Sequence, residues 1–79
     1  MSQDLDIKEY VMQYKGHQRF TRLESIVEFG DALAHETVVK AVSLGYQLAE
    51  ESRNPGMHQR IQKAETTYYR KKGMEMPAS

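Results

Sequence analysis

The chain has 79 residues, no cysteine, and 11 basic against 11 acidic side chains, so its formal net charge is zero. Disulfides and thiolate metal sites are therefore excluded, and a catalytic domain with a second module would not fit, because single domains usually have about 100–150 residues. Leu, Ile, Val and Phe supply 15 of the 79 residues. That fraction is low, but the balanced charge predicts a folded domain with a small margin of stability.

The first predicted helix begins at Asp6 and ends at Gly16. Asp6 as N-cap and Glu9 three residues later have the spacing of a capping box, and Leu5 can pack on Tyr10 as a hydrophobic staple. Glycine readily adopts the left-handed conformation of a helix C-cap. The apolar positions follow one helical face: Ile7, Tyr10, Val11 and Tyr14.

The second helix is predicted over residues 18–29 and the third over residues 34–52. Gly30 ends the second helix, and Asp31 caps a short turn that Leu33 packs under. A glycine in a helix interior, such as Gly45, lowers helix stability by about 1 kcal/mol relative to alanine. Close packing against another helix would explain why a glycine is present there. The expected core stripes are Phe20, Leu23, Ile26 and Val27, and then the small residues Val38, Ala41, Val42, Gly45, Leu48 and Ala49.

The fourth helix is predicted over residues 57–72, after a turn at Asn54-Pro55-Gly56. Gly73 ends it, and residues 74–79 are expected to be a flexible tail behind a single domain of residues 1–73. The fold class is all-α, with about four helices as antiparallel helical hairpins, either repeat-like or in a small bundle. The stripe of the fourth helix is Met57, Ile61, Ala64 and Tyr68.

The sequence offers no catalytic constellation. His35-Glu36 resembles the start of a zinc-protease helix motif, but Val39 stands where the second histidine would be. A nucleophile elbow and a glycine-rich phosphate loop are both missing. We therefore expect no enzymatic activity, no metal and no cofactor.

The fourth helix is rich in basic residues near two tyrosines, Tyr68 and Tyr69. This pattern is typical of a solvated helix end with favourable dipole interactions, or of a site for phosphates or an acidic partner. Helical spacing predicts Arg60, Lys63 and Arg70 along one ribbon, with the last two cations spread around the helix end. Together with an arginine-flanked tyrosine near Gly16, the candidate partner-binding residues are Tyr14, Arg19, Arg22, Arg60, Lys63, Tyr68, Arg70, Lys71 and Lys72.

Residues 6–26 resemble the N-terminal segment of the first subunit of the COP-nine signalosome. The matching positions are Asp6, Ile7, Tyr10, Tyr14, Gly16, Arg19, Phe20, Arg22, Leu23 and Ile26. The helices that follow are similar to that family's first helical repeat, whereas its longer repeat and winged-helix PCI domain are not part of these 79 residues. Lys8 stands where the family tends to have an acid. The resemblance implies a scaffold that holds subunits or cullin-ligase substrates, with isopeptidase chemistry elsewhere.

Two functions follow as hypotheses. The first is a non-enzymatic helical protein-interaction module in a signalosome-like assembly, with a protein partner or a second copy bound at its uncovered edges. The alternative is a small regulator that binds nucleic acid, or a nucleic-acid enzyme, through the basic fourth helix. The sequence shows no targeting segment and no apolar run of about 20 residues, so an intracellular location, cytoplasmic or nuclear, and no membrane partner are expected.

Overall fold

A computed structural model describes residues 7–74. This part of the chain contains helices and no strand, which confirms the all-α prediction. The predicted cap at Asp6, the staple from Leu5 and all of the predicted tail after Met74 lie outside the described residues. The elements are α1 (Ile7–Met12), α2 (His17–Glu28), a 3-10 turn (Gly30–Ala32), α3 (His35–Ser52) and α4 (Pro55–Lys72).

Helices α3 and α4 form an antiparallel hairpin. The first residue of α3, His35, stacks on Tyr68 near the end of α4, with ring centroids 5.8 Å apart. Near the middle of both helices, Gly45 lies directly against Ile61. Because the connection has only two residues, between Ser52 and Pro55, the helices must turn back on each other at once.

Helix α2 completes a three-helix bundle, antiparallel to α3 and parallel to α4. The 3-10 turn that follows α2 returns the chain to the start of α3, where Gly30 contacts Val38. At the same end of the bundle, Lys71 near the end of α4 reaches the carbonyl of Glu28 at the end of α2. The predicted antiparallel hairpins are therefore present, folded together as a small bundle.

The core lies where the three long helices meet, and it follows the predicted stripes closely. Tyr68, Phe20 and Leu23 are its largest fully buried side chains. Three residues expected in the core are only half-buried and pack against its edge: Ile26, Leu48 and Met57. The buried apolar residues are Ile7, Val11, Phe20, Leu23, Val27, Val38, Ala41, Val42, Ala49, Ile61, Ala64, Tyr68 and Tyr69.

The first helix is shorter than predicted. It ends at Met12, and Gly16 lies at the N-cap of α2 with φ +58° rather than at the C-cap of α1. Its φ is positive, as expected, but its ψ of −136° is not that of the left-handed helical conformation, and the residue turns the chain into the next helix. Gly30 also has a different role, since it is buried within the 3-10 turn and lets Val38 approach.

Helix α4 begins two residues earlier than predicted because the turn sequence caps it. The Asn54 side chain accepts hydrogen bonds from the amides of Gly56 and Met57, at 2.9 and 3.3 Å, and Pro55 occupies the first helical position. Proline is favoured there because its missing N–H has no partner in the helix. At the other end, Gly73 adopts φ +67° and closes the helix as predicted.

Candidate interaction surface

The basic residues of α4 divide into those that form side-chain hydrogen bonds within residues 7–74 and those that do not. Arg60 belongs to the first group. Its Nη2 lies 2.7 Å from Oε1 of Glu24 and its Nε lies 3.1 Å from Oε2, a two-pronged ion pair with α2. The guanidinium also lies 5.1 Å from the centre of the Phe20 ring and within 3.2 Å of His17 Nε2. Arg60 thus ties α4 to α2.

Lys71 is also used within the bundle. Its ammonium donates to the carbonyl of Glu28 at 3.1 Å and lies 4.6 Å from the centre of the Phe29 ring. Eleven residues make about three helical turns, so Lys71 follows Arg60 on the face turned towards α2. Lys71 therefore lies about 20° from Arg60 around the helix, not among cations spread around the helix end, and Arg60 of the predicted ribbon is held by Glu24.

Lys63, Arg70 and Lys72 remain as exposed cations of α4. Within residues 7–74, none of the three forms an ion pair. Tyr68 must be removed from the candidate partner-binding residues, because its side chain is fully buried. Tyr68 lies in the apolar stripe of α4, and this position places its ring in the core. Its hydroxyl forms a hydrogen bond with Nδ1 of His35 at 2.8 Å.

The predicted residues near the start of α2 do come together. Arg19 donates to the carbonyls of Val11 and Tyr14 at 3.2 and 3.0 Å, so its guanidinium holds the end of α1 against α2. Arg22 is exposed and lies 4.6 Å from the centre of the Tyr14 ring, which in turn packs edge-on against Tyr10. Arg19 is therefore structural, whereas Arg22 and Tyr14 remain accessible.

Each pair of the three long helices forms an outer groove, and the three grooves differ in what lies in them. Helix α1 contacts α2 and α3 and so covers the groove between them. The groove between α2 and α4 holds the Arg60–Glu24 ion pair, beside Lys63. The groove between α3 and α4 is left open, with a cavity of about 500 Å³ beside Tyr46, Arg53 and His58.

We call this open groove and the helix faces beside it the α3/α4 face. The Tyr46 hydroxyl donates to Oε1 of Glu65 at 2.9 Å, and the Tyr46 ring packs on His58 with centroids 4.7 Å apart. Val39, two helical turns before Tyr46 on the same side of α3, is 45% exposed. Val39 and the Tyr46 cluster thus lie along one side of α3, on a surface that no described helix covers.

Four tyrosines of the bundle have raised pKa values. Burial, followed by the hydrogen bond to Glu65 and the charge of that carboxylate, raises the pKa of Tyr46 to about 12. Burial is also the main cause that raises the pKa of Tyr68 and of Tyr69. For Tyr10 the main cause is a hydrogen bond with Tyr14, which raises its pKa. All four are therefore neutral hydroxyl groups at ordinary pH.

The sequence places Val39 and Tyr46 outside the buried stripe of α3, but neither they nor Phe29 were among the predicted partner-binding residues. A signal for the first two existed, since both fall outside the small-residue stripe of α3 and are seven residues apart. For Phe29 there was none: it was assigned to the second helix, and its exposure of 61% follows from the 3-10 turn that comes directly after it.

Residues 7–74 bring together no group of three or more histidine, aspartate or glutamate side chains that could hold a metal ion. Over the same residues, none of the helices combines the length and the apolar character needed to cross a membrane.

Comparisons with known proteins add no relative: no protein-family model, curated protein or solved structure matches this chain. The resemblance to the signalosome subunit therefore stays a prediction.

Proposed function

We propose that this chain is a non-enzymatic helical protein-interaction module, a scaffold element of a signalosome-like assembly, and that a helix of a neighbouring protein subunit packs on the α3/α4 face. The observation that carries the proposal is the difference between the three grooves. Within residues 7–74, α1 covers one groove, and the Arg60–Glu24 ion pair bridges the second beside a cavity of about 190 Å³. The third groove is bridged by Tyr46 and Glu65 and has a cavity of about 500 Å³.

The chemistry of the α3/α4 face favours a helix as the occupant. The groove between α2 and α3 already binds a helix of this chain, since α1 packs there and buries Ile7 and Val11. The α3/α4 face offers the same kind of surface through Val39 and Tyr46, together with polar groups at the rim, Glu50 and Arg53. Apolar centres with polar rims are typical of protein interfaces.

The test is co-elution in size-exclusion chromatography with a signalosome assembled without the N-terminal segment of its first subunit. We expect the chain to join this assembly. Val39→Arg should abolish co-elution, because it places a charge in the centre of the apolar contact, whereas it should leave the melting temperature unchanged. Ser25→Arg is the matched control, since it puts the same side chain on an exposed position of α2. Failure of the parent chain to bind, or equal loss in both variants, would contradict the proposal.

Sedimentation equilibrium separates two other occupants. Self-association that Val39→Arg abolishes would identify a second copy of the chain as the occupant. Binding to duplex DNA or single-stranded RNA that weakens steeply with salt and depends on Lys63 and Arg70 would favour the alternative function, because phosphate contacts release counterions.

A further inference from the structure

A second surface lies at the C-terminal end of α4. It consists of three consecutive cations and two exposed apolar side chains at the same end of the bundle, and we call it the cationic end: Phe29, Arg70, Lys71, Lys72 and Met74.

The cations are not required to satisfy the end of the helix. The amides of Gly73 and Met74 bond to the carbonyls of Arg70 and Tyr69, at 3.1 and 3.0 Å, so the backbone closes α4 by itself. Cations in the last turn interact favourably with the helix dipole, but this interaction leaves their charged groups free to pair with carboxylates. The helix end therefore carries more positive charge than its own structure uses.

Apolar surface accompanies this charge. Phe29 is 61% exposed and Met74 is 41% exposed, two of the four large hydrophobic side chains that are exposed within residues 7–74. The ammonium of Lys71 lies against one side of the Phe29 ring, 4.6 Å from its centre. Since this contact fixes the ring and the cation together, the surface presents both in one arrangement.

We propose that the cationic end binds an acidic segment of another protein that also carries an aromatic or aliphatic side chain. The carboxylates of the segment pair with Arg70 and Lys72, and its apolar side chain packs on Phe29 and Met74. Charge complementarity is the basis, because Arg70, Lys71 and Lys72 form no ion pair within the described residues. This inference adds a second binding surface. It rests on the proposed function only in the assumption that the chain is a binding module.

The same features make a polyanionic nucleic acid a poorer partner. Asp31 and Glu36 are also exposed at this end of the bundle, so favourable contacts with carboxylates or phosphates are limited to the immediate surroundings of Arg70 and Lys72. The chain as a whole has no excess of positive charge, whereas proteins that bind duplexes through phosphates are usually basic over the whole domain. A short acidic segment needs only two or three carboxylates and gains from the apolar contact.

The experiment measures fluorescence anisotropy with a labelled peptide that is rich in Asp and Glu and contains one Phe and one Leu. We expect saturable binding that weakens when Phe and Leu are replaced by Ser, and that is lost when the acids are replaced by Gln. Arg70→Gln with Lys72→Gln should raise Kd by about fivefold, since each exposed ion pair contributes about 0.2–1 kcal/mol. Phe29→Ser should raise Kd as well, without loss of helicity.

The matched control replaces Lys8 and Lys15, two exposed cations at the other end of the bundle, with Gln. An unchanged Kd in this control and a raised Kd in the double variant at Arg70 and Lys72 would support the cationic end as the site. Equal effects, no saturable binding, indifference to the apolar residues, or tighter binding to a single-stranded oligonucleotide would each overturn it. Val39→Arg should bind the peptide normally, so failure here and failure of the α3/α4 face are distinguishable.

Discussion

Gly45→Ala measures how closely α3 and α4 approach each other. A Cβ atom at this position would lie 2.6 Å from Cγ1 and 2.7 Å from Cδ1 of Ile61, distances that require one of the two residues to move. Ile61 is fully buried, so its side chain cannot avoid the added methyl group by turning out into solvent.

Two effects of opposite sign decide the result. Alanine is favoured over glycine in the middle of a helix by about 1 kcal/mol. Forcing an additional methyl group into a packed core costs about 1–3 kcal/mol. Because both close atoms belong to a side chain with no exposed surface, we expect the packing cost to exceed the gain and the free energy of unfolding to fall by about 1 kcal/mol.

Urea denaturation followed by circular dichroism gives this free energy. Comparison of Ser43→Ala with Ser43→Gly, at an exposed position of the same helix, measures the Ala–Gly difference without the clash. Adding Ile61→Val removes Cδ1, one of the two close atoms, so the double variant should be more stable than the sum of the single effects predicts. A Gly45→Ala variant that gains as much stability as the Ser43 pair predicts would refute the close approach.

Three further predictions concern other parts of the bundle. Leu23→Ala should lower the free energy of unfolding by about 2–4 kcal/mol, the range for a fully buried leucine. Leu48→Ala should lower it by clearly less, because that side chain is half-buried. Equal losses of stability in urea denaturation would contradict the assigned burial. Burial and Glu65 raise the folded-state pKa of Tyr46 to about 12, above its unfolded value of about 10, so this contribution is complete below about pH 10 and is lost as the pH rises towards 12. The parent chain should therefore lose more stability than Tyr46→Phe between pH 9 and about 11.5, and parallel curves would show that the shift is absent. Arg19→Ala should release α1, because a helix of six residues is not stable alone; hydrogen exchange should accelerate in residues 7–12 and stay slow in the other helices, and uniform acceleration would assign Arg19 to the whole bundle.

The positions of the long helices could be predicted from the sequence because several local signals agree. In α3, the small-residue stripe, the preceding turn and the Asn54-Pro55 boundary all indicate the same limits, and the predicted start is one residue from the observed start at His35. The pairing of Gly45 with another helix was also foreseeable, since a glycine that costs helix stability implies a close contact. The end of α1 was less accessible, because Tyr14 continues the apolar spacing beyond the point where Arg19 draws the chain into a turn.

The roles of the cations on α4 could not be predicted, because they depend on where α2 lies. Sequence spacing indicates which residues share a helical face. It does not indicate that Glu24 lies opposite Arg60, or that the carbonyl of Glu28 lies opposite Lys71. For Tyr68 the sequence carried two conflicting signals, a basic neighbourhood and a position in the apolar stripe. Burial was the stronger signal, because a large aromatic side chain at a core position gains more from leaving water than from a surface contact.

The three grooves also indicate the direction in which a larger assembly would extend. Within the described residues, α1 is the only helix outside the bundle of α2, α3 and α4, and it lies against α2 and α3. A helix added at the α3/α4 face would make its contacts with α3 and α4 at the opposite side of α3, so α3 would become the central helix of a two-sided stack. Its small buried residues, Ala41, Gly45 and Ala49, already serve the contacts with the described helices, so an added helix would contact the side of α3 on which Val39 and Tyr46 lie. An added helix that packed between α2 and α4 would meet the ion pair of Arg60 with Glu24, whereas the α3/α4 face offers it the exposed apolar side chain of Val39 beside the hydrogen bond of Tyr46 with Glu65.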